Sequence, residues 1–235
     1  MPQASKSFSP HGFSTLPAEG RGSLSRTRAP GWALGIQIAL AFGLIEAGVW
    51  TPLGRLNSLS IALATLWMLY ATLAGPFSPA QLGIGVPPAK GSGWILLGGM
   101  AMAAALPLLA VLWPNNSGPD HLLPFRQALQ YLLWALVQQF ILQSFFFVRL
   151  EFLLGGRWAV LATAGLFAAV HLPSPVLTLA SFVAGLFFCE MFRRYRNLLP
   201  LGLVHAGLGL AMAASFSARI LHHMRVGIGY VRFHP

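Results

Sequence analysis

The sequence predicts an all-α protein, a polytopic membrane bundle of about seven transmembrane helices. Three observations carry this. Of 235 residues, 56% are hydrophobic and only 9% charged, against the roughly 25% charged share of a soluble domain. The apolar residues gather into runs near the ~20 that a spanning helix needs. The basic residues between those runs fall mostly on one side. A soluble domain of this size needs more polar residues to cover its surface, so the chain is read as an integral membrane protein with lipid as a partner.

Residues 1–30 are rich in Ser, Pro, Gly and Arg, lack apolar periodicity, and read as a disordered basic tail. The apolar run that follows starts too late and runs too long for the h-region of a signal peptide. Spans are expected at about 32–50, 56–75, 92–113, 125–152, 157–172, 175–192 and 198–218. The fifth and sixth are short, and Pro173 and Pro175 mark a tight turn between them. The chain then divides into the tail, N-terminal helices over 31–120, a core over 121–218 and a basic C-terminal tail over 219–235.

With the N-terminus inside, the inner side receives Lys6, Arg21, Arg26, Arg28, Lys90, Arg149, Arg157, Arg193, Arg194 and Arg196, and the outer loops only Arg55 and Arg126. That asymmetry fits the positive-inside rule and predicts a cytoplasmic N-terminus; the membrane is expected to be a bacterial inner (plasma) membrane. Arg219, Arg225 and Arg232 fall outside under seven spans, unless a re-entrant or interfacial segment brings them back. The net charge of +10 goes to topology and lipid headgroups. No basic stripe with interleaved aromatics points to nucleic acid.

Cys189 is the single cysteine, so no internal disulfide and no cysteine-rich metal site forms. Any carboxylate chemistry must come from Glu19, Glu46, Asp120, Glu151 or Glu190. Glu190 precedes Arg193 and Arg194 by three and four positions, the spacing of helix-surface ion pairs. Glu46 has no basic residue within a helical turn and needs a partner from elsewhere.

Polar residues inside such runs are costly and mark sites. Gln138, Gln139 and Gln143 lie mid-way along the fourth span, with 139 and 143 spaced i, i+4 on one face. Phe167 and His171 share a face by the same spacing, and His205 stands beside Gly207 and Gly209 on the last span. At 1.5 Å per residue Gln138 lies about 16 Å from Arg149, His171 about 21 Å from Arg157 and His205 about 13 Å from Arg196. All three reach the middle of a bilayer. Interhelical hydrogen bonding and packing are the plain alternative to a site.

The order Gln138-Gln139, Phe167-x-x-x-His171, His205 resembles the CAAX-protease and bacteriocin-processing family, the Abi or Rce1-like intramembrane proteases. The text from His171-Leu-Pro-Ser-Pro to Arg196-Asn-Leu-Leu-Pro-Leu-Gly-Leu-Val-His205 looks much like that family's, and the likeness covers about 130–212. The family's first motif, Glu-Glu-x-x-x-Arg, falls on Gln138, Gln139 and Gln143, so both acids and the arginine are amides here, and the asparagine of its third motif falls on Gly209. The resemblance implies an intramembrane endopeptidase acting on a membrane-anchored or terminally modified protein or peptide. His171, His205, Gln138 and Gln139 would take part in the reaction and Gln143, Phe167 and Gly209 in substrate binding, with zinc as the divalent metal the family allows. A glutamine cannot serve as general base, though it holds a water or a carbonyl. The competing reading is a non-catalytic relative that binds a transmembrane peptide. A transporter is disfavoured by the lack of paired broken helices.

Reporter fusions after Lys6 and after Arg194 should both read cytoplasmic; a periplasmic signal at either point overturns the orientation.

Overall fold

The computed structural model describes residues 30–52, 54–85, 89–119 and 123–232. Glu19, Asp120 and the expected basic tail, apart from Pro30, lie outside the described residues. Those described form an all-helical bundle: α1 (Gly31–Trp50), α2 (Gly54–Leu73), α3 (Ala89–Leu112), α4 (Phe125–Leu154), α5 (Gly156–Ala169), α6 (Pro175–Tyr195) and α7 (Leu198–Ser215). Short α8 (Ala218–Leu221), a 3₁₀ turn (His222–Met224) and α9 (Gly227–Val231) follow.

Six of these, α1 to α4, α6 and α7, are long and apolar enough to cross a membrane. The helix expected over 157–172 is shorter. With 14 residues α5 extends about 21 Å, less than the ~30 Å hydrocarbon core. It stops at Ala169 because the next helix is set up immediately afterwards. The Ser174 hydroxyl accepts from the Leu177 N–H at 3.4 Å, and Pro175 stands at the first helical position. His171 therefore sits in the turn, just past the end of α5.

α4 is the axis of the bundle. Half of its apolar window is buried, as is half of α7's, against 17% for α1, α2 and α3. It packs along α7, which packs along α3 on its other side; α5 pairs with α6 and α1 with α2. α4 and α7 approach closely because Gly202 has no side chain: a Cβ there would lie 2.3 Å from Leu136 Cδ2. Midway, α4 widens into π-helical turns over Phe140–Phe147 before resuming as an α-helix over Val148–Leu154. Nearly every residue of the π segment is buried. Such widened turns are uncommon and gather at functional sites.

The charges divide by environment. Glu190 pairs with Arg193 at 2.8 Å and with Arg194 at 2.5 Å, the expected local ion pairs, and Glu151 pairs with Arg196. These four groups and Glu190 cluster where α4 and α6 end and α5 and α7 begin. Arg149 departs from its expected place at the inner interface. It is fully buried. Its Nε donates to Gln37 Oε1 at 2.9 Å, Nη1 to the Phe145 carbonyl at 3.0 Å and Nη2 to the Ala71 carbonyl at 2.9 Å. Its guanidinium carbon lies 3.9 Å from the Phe145 ring centre. The Ala71 carbonyl belongs to the last turn of α2, where helix carbonyls lack intrahelical partners and the macrodipole is negative. Arg149 thus ties α1, α2 and α4 together.

Arg149→Leu leaves these acceptors without a donor. Hydrogen bonds to charged groups contribute about 1.5–3 kcal/mol each, so we expect a loss of about 2–4 kcal/mol, read as a lowered Tm in detergent. An unchanged Tm would show that the tie is dispensable.

Candidate functional site

The π-containing α4, the end of α5 and the middle of α7 converge. Gln139 and Gln143 are fully buried, and their i, i+4 spacing is used directly, Gln143 Nε2 donating to Gln139 Oε1 at 3.2 Å. Gln139 Nε2 lies 3.2 Å from His205 Nδ1. Because Oε1 already accepts, the amide NH₂ is the group that meets the imidazole. It donates to Nδ1, and neutral His205 then carries its proton on Nε2. Gln143 Nε2 also approaches Cys189 Sγ at 3.8 Å. A polar line therefore runs from α6 through α4 to α7 across an otherwise apolar interior.

His171 is fixed differently. Its Nδ1 lies 2.7 Å from the Phe167 carbonyl. A carbonyl only accepts, so Nδ1 bears the proton and Nε2 keeps its lone pair. The Phe167 ring stands edge-on to both imidazoles, at 4.9 Å from His171 and 5.6 Å from His205. Those two contacts limit the separation of the imidazole centres to about 10.5 Å, within reach of one bound group. Phe188 covers the other side of His205 at 5.4 Å.

Both histidines open onto one cavity of about 290 Å³, which Gln138, Phe167 and Gly209 also line. Gln139 and Gln143 were expected on that surface and lie behind it. Successive residues on a helix point about 100° apart, so Gln138 faces the cavity while Gln139 turns to His205 and Gln143 to Cys189. Most of the remaining wall is apolar, the usual character of a ligand pocket.

Among the described residues no carboxylate lines the cavity. Glu190 and Glu151 are held by arginines at the far end, and Glu46 accepts from Trp50 Nε1 at 3.0 Å on its own helix. A zinc centre needs at least three protein donors of nitrogen, sulfur or carboxylate type. No group of three His, Cys, Asp or Glu comes together among the described residues, so this donor set does not fit zinc.

Sequence reasoning missed two contributors. Tyr131, two turns before Gln138 and therefore near the same face, lines the cavity beside Gly209; the i, i+7 spacing was the available signal. The segment after α7 folds back against the cavity. Met224 and Val226 join the lining, the Gly227 N–H donates to the Leu172 carbonyl at 2.7 Å, and Arg232 Nη1 donates to the Pro52 carbonyl at 3.2 Å. The charges of Arg219, Arg225 and Arg232 pointed only to a re-entrant or interfacial segment, not to its packing partners.

Fold and site thus define a polytopic helical membrane protein with an intramembrane histidine–amide site. Residues 121–211 match the family model described as type II CAAX prenyl endopeptidase Rce1-like, and this match supports assigning the chain to the Rce1-like family. The matched segment contains α4 to α6 and most of α7, the helices that carry the site. No curated protein and no solved structure matches the chain.

Gln139→Leu strands both His205 and Gln143, whereas Gln143→Leu also removes Gln143 Oε1, a buried acceptor with no partner. An unsatisfied buried group costs about 1–3 kcal/mol. Thermal unfolding should show Gln139→Leu destabilised by that amount and Gln143→Leu by less than half of it. The reverse order would disprove the direction of the amide chain.

Proposed function

We propose that the protein is an intramembrane endopeptidase that cleaves a membrane-associated or terminally modified protein, with His171 in the place of the missing carboxylate base. The observation that carries this reading is the complementary state of the two histidines on one cavity. His171 Nε2 is an acceptor because Nδ1–H is bound to the Phe167 carbonyl. His205 Nε2–H is a donor because Nδ1 is bound to Gln139. Hydrolysis needs that pair of functions side by side.

His171 Nε2 takes a proton from a water held against the Gln138 amide. The hydroxide forms a bond to the scissile carbonyl carbon, and His205 Nε2–H donates to the oxygen that gains charge. As the C–N bond breaks, the imidazolium of His171 returns its proton to the leaving amine. Gln139 holds the His205 ring and its tautomer in place, and Gln143 holds Gln139 in turn. Gln143 is therefore better suited to positioning than to touching substrate. A bacterial plasma membrane belongs to the same proposal, as does a cytoplasmic N-terminus, which the charge asymmetry of the loops supports.

The amides in place of the family's acids favour a second reading, a relative that binds a transmembrane peptide in the cavity without cutting it. A membrane-anchored reporter peptide in proteoliposomes separates the two. Under the protease reading His171→Ala and His205→Ala abolish cleavage, and Gln138→Glu raises it or leaves it unchanged, since general-base help is worth about 10²–10⁴-fold. Cleavage by both histidine variants at the parent rate would sink the catalytic reading and leave the binding one.

A further inference from the structure

We infer that the Tyr131 hydroxyl is a second hydrogen-bond donor to the carbonyl oxygen of the bound peptide, filling the place left by Gly209. This rests on the reading of the cavity as a peptidase site. Gly209 is one helical turn after His205, so it lies on the same face of α7 and lines the same cavity. The resemblance implies an asparagine at this position, orienting the water or stabilising the oxyanion. The glycine has no such group. The space is taken from the facing helix: a Cβ built at residue 209 would lie 1.9 Å from the Tyr131 hydroxyl oxygen and 2.4 Å from its Cζ. No side chain at 209 coexists with Tyr131 where it stands. The glycine and the tyrosine therefore form a matched pair.

Chemistry and position agree. The phenol is on α4, seven residues before Gln138, and both line the cavity. Among the described residues no hydrogen bond occupies the hydroxyl, which leaves its proton for a ligand. When hydroxide adds to the scissile carbon, the electron pair of the C=O bond moves to oxygen. Tyr131 O–H and His205 Nε2–H then flank that oxygen. The phenolic proton stays on Tyr131 throughout, and the hydrogen bond loosens again as the C–N bond breaks and the carbonyl re-forms. Removing one such donor typically slows an acyl transfer about 10²–10³-fold.

The test uses the full chain in proteoliposomes with the membrane-anchored reporter peptide, read for cleavage rate and for binding by fluorescence anisotropy. Tyr131→Phe should lower kcat about 10²–10³-fold while changing KM less than about threefold. Gly209→Ala, which must push the ring away, should reproduce that loss. The double variant Tyr131→Ala/Gly209→Asn, which clears the ring and brings an amide donor into the vacated space, should recover at least about tenfold over Tyr131→Ala. If Tyr131→Phe cleaves at the parent rate while His171→Ala is inactive, the donor role is wrong and the peptidase reading stands. If the parent does not cleave, the peptidase reading has failed and binding decides. A loss of peptide affinity of about fivefold in Tyr131→Phe keeps the donor assignment; equal affinity, including none in either protein, overturns it.

Discussion

In a hydrocarbon layer a polar side chain keeps its position only when another polar group meets it. One line of contacts meets that constraint at the centre of this bundle: Cys189 on α6, Gln143 and Gln139 on α4, His205 on α7. Each link fixes the next. The Gln143 amide decides which end of the Gln139 amide accepts, and Gln139 decides that His205 carries its proton on Nε2. The line also explains why α4 and α7 must touch so closely, since a distance of 3.2 Å between Gln139 and His205 leaves no space for a side chain at Gly202. Packing and chemistry are thus set by one chain of hydrogen bonds.

The other large polar obligation, the buried guanidinium of Arg149, is met without a carboxylate. Two backbone carbonyls and one amide oxygen surround it, and aromatic faces cover it. A single buried acid would supply stronger attraction, but loss of either member of an ion pair leaves an uncompensated charge. Dispersed neutral acceptors hold the arginine while each contributes part of the cost of desolvation. The arrangement also places Arg149 six residues past Gln143, so the helix that carries the site is anchored just beyond its widened π turns. The half of α4 that carries the histidine–amide contacts is held at one end by Arg149 and in the middle by the amide line.

The membrane bundle, most of its spans, and the pairing of Gln139 with Gln143 and of Phe167 with His171 were legible in the sequence. Each depends on local spacing or on the sum of hydropathy over a window. Arg149 was misplaced because an arginine near a helix end is read as a headgroup contact. Its real partners are mostly backbone carbonyls, which every residue has. The π turns left no trace because Phe-Ile-Leu-Gln-Ser-Phe-Phe-Phe is apolar almost all round and shows no period to shift. α5 ended early because capping by Ser174 and Pro175 belongs to the following helix. Tyr131 carried a readable spacing to Gln138, but its significance depends on Gly209, which is close only in the fold.

The amides of α4 and the tautomer of His205 are connected to one another. An acid at 139 would place a carboxylate against His205 Nδ1, favouring a proton there and turning Nε2 into an acceptor. Both histidines would then present lone pairs to the cavity, and the donor to a developing oxyanion would have to come from elsewhere, as an asparagine amide would supply it. With glutamine at 139 the tautomer reverses: His205 becomes a donor and His171 alone keeps the basic nitrogen. With amides at 138, 139 and 143 the proposed roles divide in this way, and the pairing of Gly209 with Tyr131 suits that division. The substitutions keep the interior of α4 free of net charge except at Arg149, where hydrogen bonds already surround it. Of these groups Gln143 touches Gln139 and Gln139 touches His205, while Gly209 meets Tyr131 across the cavity.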